Sequence, residues 1–212
     1  ANMAKSDFLS RMSHDMRTPL NGIIGMNYLA QKIDNPSQTR DYLEKIDVSS
    51  KFLLGLINDV LDMAKAESGK MEMHPEPYDI RQFIAYVEAV IKPLCKEKGI
   101  KLVFDLQPIG NRKPLLDPLR FNQVCFNLLS NAVKYTPYGG TVTLRIHDKM
   151  IVGTRLLTEM EISDTGIGMS EEFQKSMFEP FTQENRDDIS LTRGSGLGLA
   201  IVKKVVDLMQ GT

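Results

Sequence analysis

The apolar residues in the first third of the chain recur at the spacing of an α-helix. They follow one another at steps of three and four residues through two segments, which a turn sequence at residues 34–37 separates. The second segment runs from about Thr39 to Ser68-Gly69, where the glycine is a natural helix stop. The pattern therefore predicts a helical hairpin within residues 1–68.

The apolar stripe on each predicted helix is wider than a two-stranded contact needs. A second copy of the hairpin would cover both stripes and complete a four-helix bundle across a homodimer. The alternative is that the hairpin packs on the domain that follows it. Because the stripes run the full length of both helices, the sequence favours the dimer. The stripes comprise Leu9, Met12, Met16, Pro19, Ile23, Met26, Ala30 and Ile33, then Tyr42, Leu43, Ile46, Leu53, Leu56, Ile57, Val60, Leu61 and Ala64.

After a predicted linker at residues 69–77, which contains two prolines, the pattern becomes mixed. Helical runs and β-rich runs follow one another to the end of the chain. Their order is typical of an α+β fold with helices on one side of a mixed sheet, so residues 78–212 are predicted to form a second domain. The predicted helices are Ile80–Lys98, Asp117–Tyr135, Ser170–Met177 and Gly196–Gln210, and the predicted strands are Ile100–Leu106, Thr141–Asp148 and Leu156–Ser163.

Composition and charge narrow the possible functions. The chain has 212 residues, of which 42% are hydrophobic and 25% charged, as in a globular protein. Its 26 Lys and Arg residues nearly balance its 27 Asp and Glu residues, which leaves no basic field for nucleic acid or for a membrane surface. Any phosphate binding is therefore expected at a local site. Cys95 and Cys125 lie in apolar helical patterns and are expected to be buried thiols.

One histidine of the first predicted helix has unusual neighbours. His14 is followed by the acidic Asp15, by a hydroxyl at Thr18 one helical turn on, and by Pro19. It also falls opposite the apolar stripe, on the exposed side of the helix, whereas a packing histidine would lie within the stripe. The combination favours an imidazole that is phosphorylated over one that packs in a core.

The predicted helix 117–135 carries the first of three candidate nucleotide-binding clusters. Asn127, Asn131 and Lys134 share one face of that helix. Carboxamide oxygens can ligate Mg²⁺, and a lysine can neutralise phosphate. The alternative is an ordinary polar outer face, but asparagine is a poor helix former, which favours a functional reason for the pair.

Two glycine-rich clusters complete the set. In the second cluster of the three, Asp164, Gly166 and Gly168 directly follow a predicted strand, and the aspartate can accept a hydrogen bond from an amine such as that of adenine. The third cluster opens the last predicted helix, where free N–H groups can bind phosphate. Each is weak evidence alone, and the dinucleotide fingerprint and the Walker loop are both absent. The third cluster comprises Gly194, Gly196, Leu197 and Gly198.

Together these motifs resemble the catalytic core of a bacterial sensor histidine kinase. SHDMRTPLNGI is similar to the family's H box, NLLSNAVKYTPYGG to its N box, DTGIGM to its G1 box, FEPF to its F box and GSGLGLAI to its G2 box. Five ordered motifs at family-like spacing are highly specific, although each one alone is not. The sequences of the H box and of the FEPFTQ segment are most similar to those of hybrid kinases, which also carry receiver domains.

The resemblance implies a dimerisation and phosphotransfer hairpin followed by an ATP-binding domain of the GHKL type, an α+β sandwich. His14 would then be the phosphoacceptor, Asp15 its acidic partner, and Thr18 a residue that positions water in a phosphatase reaction. The partners implied are a second copy of the chain and the receiver domain of a response regulator, in the cytoplasm. In the nucleotide site, Asn131 and Asn127 would bind Mg²⁺, Lys134 phosphate, Tyr135 the nucleotide and Asp164 the adenine amine, while Gly166, Gly168, Gly194, Gly196, Leu197 and Gly198 would shape the pocket.

Two other functions share part of this pattern. A GHKL-type ATPase that drives conformational work would need the three nucleotide clusters but not an exposed histidine on a hairpin. A non-catalytic dimeric scaffold would keep the fold without the chemistry. In the family, a β-hairpin follows the last helix and completes the sheet, whereas this sequence stops at Thr212. We therefore expect the catalytic domain to be truncated at its C-terminal end.

Overall fold

The computed structural model describes residues 2–106, 113–152, 155–184 and 195–212. Its first part is an antiparallel pair of long helices, α1 (Asn2–Lys32) and α2 (Pro36–Glu67). The side chain of Asn35 accepts hydrogen bonds from the main-chain N–H groups of Ser37 and Gln38, at 3.0 and 3.3 Å, and so caps α2. The predicted hairpin is confirmed. Its second helix begins at Pro36 rather than near Thr39, because proline is well suited to a first helical turn.

Much of the apolar surface of the hairpin remains exposed in the single chain. One end of α2 packs on the second part of the chain, where Leu56, Val60 and Met63 are buried. The predicted stripe of α1 is half-buried from Met12 to Ile33, whereas other apolar side chains of the hairpin are exposed. The homodimer that would cover them stays a prediction. The exposed apolar side chains are Leu20, Ile24, Tyr28 and Leu29 on α1 and Leu43, Val48, Phe52, Leu54, Ile57 and Leu61 on α2.

The second part combines helices with a mixed sheet, as predicted. Strand β2 (Lys101–Leu106) pairs with β4 (Thr141–Val152) in parallel, and β4 pairs with β5 (Arg155–Asp164) in antiparallel orientation. The strand order among the described residues is β2-β4-β5. The elements are β1 (Glu76–Pro77), α3 (Ile80–Glu97), β2 (Lys101–Leu106), β3 (Leu115–Leu116), α4 (Pro118–Tyr135), β4 (Thr141–Val152), β5 (Arg155–Asp164), α5 (Glu171–Ser176) and α6 (Gly198–Leu208).

The core of this part lies between the sheet and helices α3 and α4. Alternate residues of β4 point to one face of the sheet, and those on the inner face are buried. Residues spaced by four along α3 form the facing stripe. The main members of this core are Phe83, Val87, Ile91, Cys95, Cys125, Leu129, Val142, Leu144 and Ile146.

Part of the predicted linker takes a place in the second part of the chain. Strand β1 pairs with β3 over two residues each, with Glu76 opposite Leu116. The buried Asp117 accepts hydrogen bonds from the N–H groups of His74 and Arg120, at 2.9 and 3.0 Å. Burial alone would raise the pKa of this carboxyl. The hydrogen bonds and the nearby Arg120 charge lower it by more, so the pKa lies below its usual value. Pairs this short leave no periodic signal in a sequence, so they were not predicted.

Replacing Phe83 by alanine is expected to destabilise the second part of the chain by about 3–5 kcal/mol, the usual cost of emptying a buried aromatic site. The Phe83 ring is fully buried and packs edge-on against Phe121 with 5.0 Å between ring centroids. The free energy of unfolding in urea measures the loss. Phe178→Ala, at a side chain that is 42% exposed, is the control and should cost no more than about 1 kcal/mol. Equal losses in the two variants would contradict the assigned core.

Candidate active site

Helix α4 is the element on which the candidate nucleotide site is built. Asp117 caps its N-terminus, and Pro118 occupies its first turn. One face of the helix is buried in the core, while Asn127, Asn131 and Lys134 lie half-buried on another face. The helix therefore presents the first predicted cluster in one row.

Asn127 has an unsatisfied polar group inside this row. Its amide nitrogen is buried and has no hydrogen-bond partner among the described residues. Gly198, the first residue of α6, lies beside it, because a Cβ on that glycine would stand 3.7 Å from the Asn127 amide carbon and oxygen. Buried amide donors are nearly always paired. The orphaned nitrogen therefore fits a site that receives a polar group from a ligand.

The loop after β5 lies against the C-terminal end of α4. The Asp164 carboxylate accepts a hydrogen bond from the Gly166 N–H at 2.7 Å through Oδ1. A Cβ on Gly166 would come within 2.7 Å of the Tyr135 carbonyl oxygen, so only glycine fits there. Gly168 has a φ of 66°, in the left-handed region that favours glycine. Because Asp164 is exposed and Gly166 uses Oδ1, the carboxylate can still accept a bond from a ligand.

The third cluster meets the apolar FEPF segment. Gly196 has a φ of 68°, and a Cβ there would stand 2.9 Å from the Phe181 Cα. The Phe181 N–H donates to the Gly196 carbonyl at 2.9 Å. The side chain of Leu197 is fully buried in an apolar cluster, so a contribution of this residue to ligand binding would come from its main chain. Gly194 lies outside the described residues.

The end of α4 carries both a cation and an aromatic ring. The ammonium of Lys134 stands 4.7 Å from the centroid of the Tyr135 ring, in a cation–π contact. The three clusters thus meet along α4. The third cluster lies beside Asn127, the second lies beside Tyr135, and Asn131 and Lys134 of the first cluster lie between these two residues in the sequence. Four of the predicted nucleotide residues lie on this helix, and Gly166 and Gly198 lie against it; the four are Asn127, Asn131, Lys134 and Tyr135.

The predicted phosphoacceptor lies on α1 and faces solvent. The His14 side chain is 77% exposed, and its Nδ1 lies 3.2 Å from Oδ1 of Asp15. The Thr18 hydroxyl donates to the His14 carbonyl at 3.3 Å and is exposed one turn further along. A carboxylate at Nδ1 favours the tautomer that carries its proton there, which leaves Nε2 with a free electron pair. Such a ring is prepared to act as a nucleophile through Nε2.

The hairpin contacts the second part of the chain next to the candidate nucleotide site. Arg120 Nη1 lies 3.0 Å from Asp62 Oδ1, and the Gln123 amide donates to the other Asp62 oxygen at 2.7 Å. The Ser195 hydroxyl, within the third cluster, donates to Asp59 at 3.2 Å. Burial raises the pKa of Asp59, and the bond from Ser195 opposes that rise. The apolar part of the contact comprises Leu56, Val60, Met71, Val124, Leu197, Ile201, Val202 and Val205, with Met12 and Met16 packed against it.

These polar contacts were missed in the sequence. Asp59 and Asp62 are on α2, and Ser195 and Arg120 are far from them along the chain, so no local spacing connects them. An acidic residue on a helix usually faces solvent. Only the packed arrangement reveals that Asp59 connects the hairpin to the segment before α6 and that Asp62 connects it to α4.

Two family models match the chain in succession. Residues 4–69 match the His Kinase A (phospho-acceptor) domain, and residues 116–212 match the histidine kinase-, DNA gyrase B-, and HSP90-like ATPase family. The chain belongs to the histidine kinases. The resemblance inferred from the five motifs is confirmed, and the second match makes residues 116–212 part of an ATP-binding domain.

Curated relatives agree with the family. This histidine kinase chain is 39% identical over 209 residues to the autoinducer 2 sensor kinase/phosphatase LuxQ of Vibrio parahaemolyticus, with 98% of the chain and 24% of that protein covered. It is 37% identical over 210 residues to the signal transduction histidine-protein kinase BarA of Escherichia coli K12, with 98% of the chain and 22% of that protein covered. The chain therefore spans about a quarter of the length of these relatives.

Solved structures of histidine kinases share the fold. The full-length ShkA structure in complex with AMPPNP has a TM-score of 0.68 and 32% sequence identity, and the match covers 97% of this chain and 42% of ShkA. ThkA, in complex with the response regulator protein TrrA, has the same TM-score at 21% identity, over 97% of this chain and 55% of that one. In the described part of the kinase chain, no helix combines the length and the apolarity of a membrane span.

Proposed function

We propose that this chain is the catalytic core of a kinase that transfers the γ-phosphoryl group of ATP to His14. From His14 the group would pass to an aspartate of a response-regulator receiver domain. The observation that carries the proposal is the meeting of three nucleotide clusters along α4 in a chain that also exposes a paired His14 and Asp15. A GHKL ATPase without a phosphoacceptor has no use for that exposed pair.

The nucleotide would lie between α4, the Asp164 loop and the start of α6. The Asp164 carboxylate would accept a hydrogen bond from the exocyclic amine of adenine while it accepts one from the Gly166 N–H. The glycines at 196 and 198 would allow main-chain N–H groups to approach phosphate at a helix N-terminus. Lys134 would neutralise phosphate charge, and its contact with Tyr135 keeps the ammonium at the end of α4.

Mg²⁺ fits the same row of residues. A magnesium site that uses substrate phosphates needs only one or two protein oxygens, and the Asn127 and Asn131 amides can supply them. The orphaned Asn127 nitrogen could donate to a phosphate oxygen while the amide oxygen faces the ion. Bound there, the ion would neutralise the charge that develops on the phosphates.

In the transfer itself, Nε2 of His14 forms a bond to the γ-phosphorus as the bond from that phosphorus to the bridging oxygen breaks, and ADP leaves. Asp15 keeps the proton on Nδ1 and stabilises the positive charge that develops on the ring. Phosphoryl transfer depends mostly on positioning and on charge neutralisation. The protein therefore has to bring an oriented imidazole to an oriented nucleotide.

Dimerisation and a reverse reaction complete the proposal. The exposed apolar side chains of α1 and α2 would be covered in a four-helix bundle formed with a second copy of the chain. Thr18 is exposed on the same side of α1 as His14, where its hydroxyl could position water against the phosphorylated receiver. The sensor kinase/phosphatase name of LuxQ supports such a dual activity. The reactions would take place in the cytoplasm, which supplies ATP.

Weakening the contact between the hairpin and the ATP-binding domain is expected to speed autophosphorylation. In the observed arrangement His14 faces solvent, so the ATP-binding domain has to move before transfer. Asp62→Asn removes the charge that pairs with Arg120, and a loss of ~1 kcal/mol from docking would raise the transfer rate about 5-fold. Initial rates of His14 labelling measure the change, with Asp41→Asn on the exposed side of the same helix as control. An unchanged rate for Asp62→Asn would mean that transfer needs no undocking.

Incubation with γ-labelled ATP and Mg²⁺ tests the proposed function. A label that is stable in base, labile in acid and chased onto a receiver domain is the expected result, because a phosphoramidate resists base and is cleaved by acid, whereas phosphoserine behaves in the opposite way. Once on the receiver aspartate, the label becomes an acyl phosphate and should be labile in base. Free phosphate without labelled protein would indicate the ATPase instead. The absence of both nucleotide binding and label would indicate a scaffold.

A further inference from the structure

Lys98 joins two elements of the ATP-binding domain at a point next to the nucleotide clusters. It directly follows α3, and its side chain is half-buried. Its ammonium donates hydrogen bonds to the main-chain carbonyls of Val133, Lys134 and Thr136, at 3.0, 2.7 and 3.2 Å. A lysine ammonium has three donors, so all of them are used.

These carbonyls belong to the last turn of α4 and its cap. The final carbonyls of a helix lack partners within the helix, and they form the negative end of its dipole. A cation placed among them both satisfies and electrostatically stabilises them. The main chain of Lys98 adds a second connection, since its carbonyl accepts from the Gly139 N–H at 3.1 Å. Lys98 therefore holds the end of α4 from the side of α3.

The same turn of α4 faces the nucleotide clusters. It carries the Lys134 and Tyr135 side chains, and the Tyr135 carbonyl accepts from the Ile167 N–H at 3.4 Å. The missing Gly166 side chain allows the loop to approach that same carbonyl. Of the four main-chain carbonyls at residues 133–136, three thus accept hydrogen bonds from the Lys98 ammonium. The fourth, that of Tyr135, accepts one from the Asp164 loop.

We propose that Lys98 is a positioning residue for nucleotide binding. It fixes the end of α4 in the orientation that presents Lys134 and Tyr135, and it fixes the Tyr135 carbonyl on which the Asp164 loop rests. The proposal rests on the proposed ATP site and adds to it a residue that never touches the ligand. Without the ammonium, water would replace it at these carbonyls, and the turn and the loop would share a wider range of orientations.

Substitution of Lys98 in the full chain tests this role through nucleotide affinity. Lys98→Met keeps the length of the side chain and removes its donors, and we expect ATP to bind about tenfold more weakly, as the loss of charge-assisted hydrogen bonds implies. Lys98→Arg restores the charge and several donors and is expected to recover most of the affinity. Lys96→Met is the matched control, an exposed lysine in the same turn of α3. Isothermal titration with ATP measures the affinities.

Two further measurements distinguish a positioning role from a merely structural one. Phosphoryl transfer from a phosphorylated receiver back to His14 uses the hairpin alone, and we expect it to be unchanged in Lys98→Met. Amide exchange at Ile167 is expected to quicken in Lys98→Met more than exchange in the α3 core. Equal ATP affinities in Lys98→Met and Lys96→Met, or no recovery in a folded Lys98→Arg, would overturn the proposal. Failure of the unsubstituted chain to bind ATP would instead overturn the proposed function.

Discussion

Replacing His14 by glutamine is expected to abolish the acid-labile label from γ-labelled ATP. Glutamine has no ring nitrogen with a free electron pair that can form the bond to phosphorus, so the loss should reach background rather than a fraction of the original rate. Because His14 lies on the hairpin and the nucleotide clusters lie around α4, the affinity for ATP should be unchanged. Gel autoradiography and titration with ATP measure the two quantities on the same preparation.

His74→Gln is the matched control for this experiment. His74 is also exposed, but it lies in the segment before α3, where its main-chain N–H is bonded to Asp117. The substitution leaves that bond in place, so labelling should match the unsubstituted chain. Persistence of the label in His14→Gln would assign the phosphoacceptor to another residue. Loss of the label in His74→Gln with an intact fold would show that an exposed histidine elsewhere also matters.

The two parts of the chain differ in how far their sequence predicted them. The helices of the hairpin and the strands β2, β4 and β5 follow periodic apolar patterns, and these patterns are local. The turn residues at 34–37 similarly encode the cap at Asn35, because a capping side chain and a proline at the next position act within one turn. The paired strands β1 and β3 have no such signal, since two residues each do not define a period.

The candidate site shows the same division. Asn127, Asn131 and Lys134 were found together because a helix converts sequence spacing into a shared face. The meeting of α4 with the Asp164 loop and with Gly198 depends on tertiary packing, and motif order alone did not establish it. The role of Lys98 was not predicted, because a lysine at the end of a helix usually binds the last carbonyls of that same helix. The carbonyls that it binds belong to the next helix.

Contacts between the two parts of the chain also lay beyond local reasoning. The sequence favoured a dimer partner for the whole apolar stripe, but one end of α2 is covered by α6 and α4 instead. The covered and the uncovered part of the α2 stripe are both apolar at helical spacing, so the sequence cannot reveal which partner covers which end. The carboxylates of Asp59 and Asp62 mark the covered end, because each of them has a partner in the ATP-binding domain.

Replacing Asp164 by asparagine is expected to weaken ATP binding about 10- to 100-fold, the cost of losing a hydrogen bond to a charged acceptor and leaving a ligand donor without a partner. The amide oxygen can still accept from the Gly166 N–H, so the loop should keep its shape. At the second position, however, an NH₂ group would face the adenine amine, and two donors repel. Titration with ATP measures the loss, and Asp105→Asn, at an exposed aspartate of β2, is the control.

The same substitution also predicts a change of base preference, which a general loss of stability would not produce. Inosine carries a carbonyl oxygen where adenosine carries the amine, so the unsubstituted chain should bind ATP in strong preference to ITP. With asparagine at position 164 the side chain can present a donor to that carbonyl, and the ratio of ATP to ITP affinity should fall by at least about tenfold. If both nucleotides lose affinity equally, Asp164 acts through the loop and not through the base. If neither loses affinity, adenine binds elsewhere, and the meeting of the three clusters along α4 has another purpose.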